Sequence, residues 1–376
     1  MFHLIFGLPW LIVVIRFIQP LPWIWSAKVA LAVLLLIASQ YHFFSRLSSG
    51  SVFSPEFPRP LIIAFNLLFG AIVLLAVFQI VLDVISLVIM LFRGNFPSIP
   101  ASLRYALGGV ALCLSAYAVS QAIRVPPLKD IEIPIAGLPP AFDGYRIVQL
   151  TDLHISRLFP ARWIEEVVSK TNGLDADLIV ITGDFIDGDV ASRQDDVAPL
   201  ANLRARDGVY AIPGNHEYFF NFQGWMAHLA TLKMNMLSNA HAVITKGDAK
   251  IALAGVTDRS AAAHGAPAPD LVAALQGAPA DAPIILLDHQ PMSAAKAAAS
   301  GVALQLSGHT HGGMVLGLDR LVARANNGFV SGRYIIGGMT LYVNNGTALW
   351  PGFALRLGVP SELTRITLRA KTPGGI

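Results

Sequence analysis

The sequence predicts an α/β domain, stacked sheets with covering helices, carried behind an all-α membrane region. Three observations predict it. Long apolar runs are confined to the first third of the chain. From Tyr145 onward, short β-branched runs alternate with stretches of helical spacing. Five of those runs lead into Asp, His or Asn, several with Gly or Pro where the chain must turn.

The 376 residues are 54% apolar with a mean hydropathy of +0.57, and they suffice for two domains. Residues 1–125 hold seven Lys/Arg against two Asp/Glu, and residues 126–376 hold 20 against 22. The basic balance therefore belongs to the apolar part, where arginines flank the runs. That argues against a nucleic-acid-binding reading, which needs a basic face on the globular part. The single Cys113 lies within an apolar run, so neither a disulfide framework nor a thiolate metal site is available.

Four apolar runs predict four spans: Phe2–Ile18, Ala27–Phe44, Leu61–Phe92 and Leu103–Ile123. The first lacks a basic leader and continues into more apolar sequence, which argues against a cleaved signal peptide. The third exceeds the ~20 residues one span requires and predicts a tilted or protruding helix. Trp10, Trp23, Trp25, Tyr41 and Tyr105 gather where interfaces are expected. Arg46, Arg59, Arg124 and Lys129 balance Arg16, Lys28, Arg93 and Arg104 across the loops, so the positive-inside rule sets no orientation. Asp83 is read as lying near the end of an overlong helix, close to headgroups, with no charged partner in the spans.

Prolines in Val125–Phe142 stop the last helix and predict a connector with an edge strand. The organisation expected is thus residues 1–125 in the membrane, 126–144 as linker and 145–370 as the α/β domain. In that domain the strands are RIVQL, DLIVI, GVYAI, KIALAGV, PIILL, ALQL, TLYVN and LTRITLR. Helices are expected over ARWIEEVVSKTNG, Trp225–Leu237 and Met292–Ala299, and Ser260–Asp270 reads as a surface loop.

Five strands lead straight into polar clusters. RIVQL precedes Asp152 and His154, DLIVI precedes Asp184, and GVYAI precedes Asn215, His216 and Glu217. PIILL precedes Asp288 and His289, and ALQL precedes His309 and His311. Sites in such sheets lie outside the carboxyl ends of strands, so these groups converge. Residues i and i+2 of an extended segment share a side, which lets Asp152 and His154 grip one ion together. This inventory exceeds what one tetrahedral ion uses. Two ions about 3.5–4 Å apart, bridged by a carboxylate, fit it. Imidazole and carboxylate without thiolate suit Mn, Fe, Zn or Co. His3, His42, His228, His241 and His264 are read as structural or surface.

The order D-x-H, GD, GNHE, a lone His and GHTH resembles the calcineurin-like metallophosphoesterase superfamily over roughly Tyr145–Arg369. IVQLTDLH, HQP, SGHTHGGM and LRLGVPSELTRITLR resemble its bacterial membrane-associated, YkuE-like branch. The resemblance implies a four-layer fold, two sheets sandwiched between helices, with a dinuclear site at the strand ends. It implies that one metal takes Asp152, His154 and His311, that Asp184 bridges, and that the other takes Asn215, His289 and His309. His216 would contact the phosphate and protonate the leaving oxygen, and Glu217 would hold that imidazole. Where many relatives have Gln, this chain has Met314.

The implied protein is a metal-dependent phosphoric ester hydrolase integral to a membrane, the bacterial cytoplasmic one. Its substrate would be a phosphodiester, monoester or pyrophosphate, lipid-linked or part of the envelope. A lipid-linked sugar-nucleotide pyrophosphatase is one alternative. A membrane sensor or transporter that binds a nucleotide without cutting it is another. Asn344–Gly346 and Leu349–Phe353 are placed either at the substrate or in the core.

Overall fold

The computed structural model describes residues 2–371, which divide into two units. One comprises the residues up to Ala122 together with Pro351–Leu357, and the other comprises Ile123–Trp350 and the residues from Gly358.

Among the described residues of the helical unit, the region of the four apolar runs forms five α-helices: α1 (Phe2–Val13), α2 (Trp25–Ser39), α3 (Tyr41–Ser49), α4 (Arg59–Arg93) and α5 (Ala101–Ile123). Among the described residues, α4 and α5 are long and apolar enough to cross a membrane, with a third span if α2 and α3, bent by 51° at Gln40, count as one. Four apolar runs were expected as spans; two or three candidates of that length stand among the described residues. Pro20 and Pro22 end the first run after α1 and a π turn at Val14–Ile18, short of the length a span needs.

Asp83 has the partner the sequence did not reveal. Arg16, in the π turn, donates from Nε to both carboxylate oxygens at 2.9 and 3.2 Å. Arg104 donates to the Arg16 carbonyl. The two residues are 67 apart, so no local pattern announces the pair. Both side chains are substantially exposed; in water such a pair is worth only about 0–1 kcal/mol.

Pro351–Leu357 is built into the helical unit. The Pro351 carbonyl accepts from Asn66 Nδ2 at 2.9 Å and from the Tyr41 hydroxyl at 3.0 Å. The Ala354 N–H donates to Asn66 Oδ1 at 2.8 Å, and Phe353 meets Phe69 edge to face. Pro351, Gly352, Ala354 and Leu355 are buried.

Among its described residues the second unit holds twelve strands: β1 (Leu128–Ile135), β2 (Arg146–Leu150), β3 (Leu178–Thr182), β4 (Val209–Ile212), β5 (Asn235–Met236), β6 (Ala240–Lys246), β7 (Ala249–Gly255), β8 (Ile284–Leu287), β9 (Val302–Ser307), β10 (Gly332–Ile336), β11 (Met339–Val343) and β12 (Leu363–Ala370). They form two six-stranded sheets, β1-β12-β2-β3-β4-β5 and β10-β11-β9-β8-β7-β6. The stretch expected as a linker is the edge strand β1, and its Ile133 and Ile135 sit in the core with Leu138 and Phe142.

The period-2 alternation of each strand explains the layers. Ile147, Val180 and Ile212 of the first sheet meet Leu253, Leu287, Leu304 and Leu306 of the second. The neighbouring Ala254 and Leu286 face the other way, onto Leu271 and Ala297 of covering helices. Two mixed sheets flanked by helices result, as expected. Because β2, β3 and β4 run parallel, as do β7, β8 and β9, each set delivers its carboxyl ends to one edge.

Candidate metal centre

The eight site residues read from the sequence come together at those strand ends. Three groups of side chains have ligand atoms within 4.8 Å of one another: Asp152, His154 and His311; His154, Asp184 and His216; and Asp184, His289 and His309. Asp184 Oδ2 is the centre, with Nε2 of His289 at 3.2 Å, of His154 at 3.8 Å and of His216 at 4.0 Å. On one side His311 Nε2 lies 3.5 Å from Asp152 Oδ1 and 3.2 Å from His154 Nε2. On the other, Asn215 Oδ1 lies 3.1 Å from His289 Nε2 and 2.9 Å from His309 Nδ1.

The backbone reaches this arrangement by a route other than strand alternation. Asp152, His154, Asp184, His309 and His311 all adopt positive φ, between 43° and 70°. An extended Asp-x-His was expected, yet both its ends are left-handed. Such residues each cost on the order of 1–3 kcal/mol and persist only where neighbours hold them. Here the neighbours are visible. The Asp152 carboxylate accepts from the Thr151 hydroxyl at 2.8 Å and from the His309 N–H at 3.1 Å. The Asp184 carboxylate accepts from the His216 N–H at 2.9 Å. A Cβ at Gly308 would fall 2.2 Å from Thr151 Oγ1 and 2.3 Å from Asp152 Oδ2, so only glycine lets that strand end approach.

Hydrogen bonds aim the imidazoles. His289 Nδ1 lies 2.7 Å from the Thr182 carbonyl, which can only accept, so Nδ1 carries the proton and Nε2 faces the cluster. Asp187 does the same twice. Its completely buried carboxylate meets His154 Nδ1 at 3.1 Å and also bonds His216 Nδ1. This residue was missed by the sequence reading, although a second carboxylate three residues after Asp184 was the available signal. The role expected of Glu217 falls to Asp187. Glu217 instead accepts the N–H groups of Asp184, Phe185 and Gly214 at 3.1, 2.8 and 2.6 Å, tying the ends of β3 and β4 together.

The charges express a cluster made for cations. Burial alone would raise Asp184, but His289, His216 and His154 outweigh it and hold the carboxylate well below its usual range. Burial would lower His289 and His216, yet the carboxylates win. Asp184 leads in raising His289 well above its ordinary value, and Asp184 with Asp187 raises His216 to about 9. His309 goes the other way, lowered to about 4 by burial and by His289. Protons here do what a divalent ion does better: they neutralise crowded buried carboxylates between imidazole nitrogens. Imidazole, carboxylate and amide oxygen are the donor set such ions take.

The geometry agrees with the sequence comparisons. The model of the family described as Calcineurin-like phosphoesterase matches residues 145–313. Over 276 residues the chain is 35% identical to a Bos taurus protein named Transmembrane protein with metallophosphoesterase domain, covering 69% of this chain and 61% of that one. It is 31% identical to the uncharacterized metallophosphoesterase YkuE of Bacillus subtilis, over 74% of this chain and 96% of that one. An uncharacterized metallophosphoesterase of Campylobacter jejuni is 31% identical, over 67% and 66%. The chain belongs to the calcineurin-like phosphoesterase family. It spans about three fifths of the length of the curated vertebrate relatives it matches.

Proposed function

We propose that this chain is a membrane-anchored phosphoesterase that holds two divalent ions and hydrolyses a phosphodiester, monoester or pyrophosphate on a membrane- or envelope-associated substrate. The observation that carries the reading is the place of Asp184 Oδ2 among imidazoles of both halves of the cluster. One ion would be held by Asp152, His154 and His311 and the other by Asn215, His289 and His309, with Asp184 available to both. Bound there, such a pair supplies neutralisation of the phosphate oxygens and a water acidic enough to attack near neutral pH.

The chain's own residues do the rest. Asp187 keeps the proton of His216 on Nδ1 and its Nε2 toward the cluster, so His216 protonates the departing alcohol from Nε2 when in its charged form. The left-handed ligand residues are set before substrate arrives, which removes the cost of organising them during reaction. The helical unit, with α4 and α5 able to cross a bilayer, keeps the site in a membrane's vicinity.

Detergent-purified protein, stripped of metal and then given Mn, tests the reading on a chromogenic phosphodiester and its monoester counterpart. Metal-dependent release, abolished by Asp184→Ala, is expected, and the diester-to-monoester ratio assigns the substrate class. Binding of two ions with no turnover of any ester would sink it.

A further inference from the structure

Residues 314–325 follow the His309–Gly313 loop directly and bury little. Leu316 is 75% exposed, Leu321 59% and Leu318 38%. The helix Asp319–Ala325 has no buried residue at all. Arg320 and Arg324 stand one helical turn apart on it, both exposed. The segment is nonetheless held in shape. A Cβ at Gly313 would fall 2.4 Å from Asp319 Cα, the Gly317 N–H donates to Asp319 Oδ1 at 2.6 Å, and the Leu318 N–H donates to the Val315 carbonyl at 2.9 Å. Three leucines are therefore displayed on a shaped loop, with two cations beside them.

We infer that residues 314–325 dock on the surface of the bilayer that anchors the chain. Leu316, Leu318 and Leu321 enter its apolar margin, and Arg320 and Arg324 pair with anionic phosphate headgroups. Lipid is favoured over a protein partner on two grounds. The two arginines complement anionic headgroups, and the same chain carries α4 and α5, so a bilayer is always within reach. Leu316 is five residues from His311, at most about 18 Å along an extended chain. A phosphoester held among those headgroups is thus presented beside the metal centre without leaving the membrane. Docking goes beyond the proposed hydrolysis and does not depend on it.

The test uses the full chain in lipid nanodiscs, with Cys113→Ala removing the one native cysteine. A nitroxide is placed in turn at Leu316→Cys, Leu321→Cys and, as a control, Val272→Cys, which is 77% exposed elsewhere in the same unit. Power saturation compares access to oxygen, which partitions into lipid, with access to a water-soluble nickel chelate. Positions 316 and 321 should favour oxygen while 272 favours the chelate. Equal chelate access at all three positions would overturn the inference. So would shielding from both agents with dipolar broadening, which would mean a second copy of this chain. In discs containing phosphatidylglycerol, the pair R320Q/R324Q should lower the docking equilibrium by on the order of tenfold or more. In phosphatidylcholine alone it should change nothing, and identical behaviour in both lipids would refute the headgroup pairing.

Discussion

Asp187 and His216 face one another in the buried floor of the site, carboxylate Oδ1 against imidazole Nδ1. Since Asp187 also aims His154, one carboxylate orients the Nε2 of a proposed metal ligand and that of the proposed proton donor. Asp187→Asn should therefore reduce metal affinity or turnover about 10–100-fold without unfolding the protein. It should also move the alkaline limb of the pH–rate profile. Burial lowers the His216 imidazole, while Asp184 and Asp187 together raise it. Removing one of those charges lowers it, so the acid loses its proton earlier and the limb shifts to lower pH. A profile that drops in height but keeps its limb would assign Asp187 a packing role only.

Metal-stripped protein should lose stability as pH rises from about 6.5 to about 9. His216 is raised from its ordinary value to about 9, so its contribution is complete below 6.5 and disappears as pH passes through the folded value. His289, also raised, adds in the same direction. Asp184 and Asp187, held low, are ionised throughout this window and contribute no slope. The His216 effect is on the order of 3 kcal/mol, readable as a falling Tm. Manganese should flatten the slope by taking over the work of the protons. A Tm that rises across the window would contradict this account of the charges.

Gly308→Ala should cost about a hundredfold in turnover. The added Cβ would collide with Thr151 Oγ1 and Asp152 Oδ2, disturbing the proposed ligand Asp152 directly or through the Thr151 hydroxyl that donates to it. Metal content by mass spectrometry and the circular dichroism spectrum decide the matter together. Loss of metal with the spectrum intact is the expected result.

In the helical unit, Asn66→Ala should destabilise by about 1–3 kcal/mol for each buried peptide group left without a partner. The Ala354 N–H loses its acceptor outright, while the Pro351 carbonyl keeps the Tyr41 hydroxyl. Thermal unfolding in detergent reads the loss, and proteolysis within Pro351–Leu357 should accelerate with it. Unchanged protection of that segment would show that the Asn66 bonds do not hold it.

The sequence by itself determined the parts of this protein that are local. Apolar runs specified helices, alternating β-branched runs specified strands, and each polar cluster at a strand end named its own residues from Asp152 to His311. These follow from neighbours a few positions apart, so they were legible. Connector and strand were harder to separate at Leu128–Ile135, because its partner β12 lies more than 200 residues away. Tertiary structure alone decided how the groups are held. The His309 N–H on Asp152, the two imidazoles on Asp187, Arg16 on Asp83 and the Pro351 carbonyl on Asn66 all join residues far apart in the chain. The left-handed backbone at five proposed ligands is decided there too, since local sterics disfavour it and only the surrounding contacts sustain it.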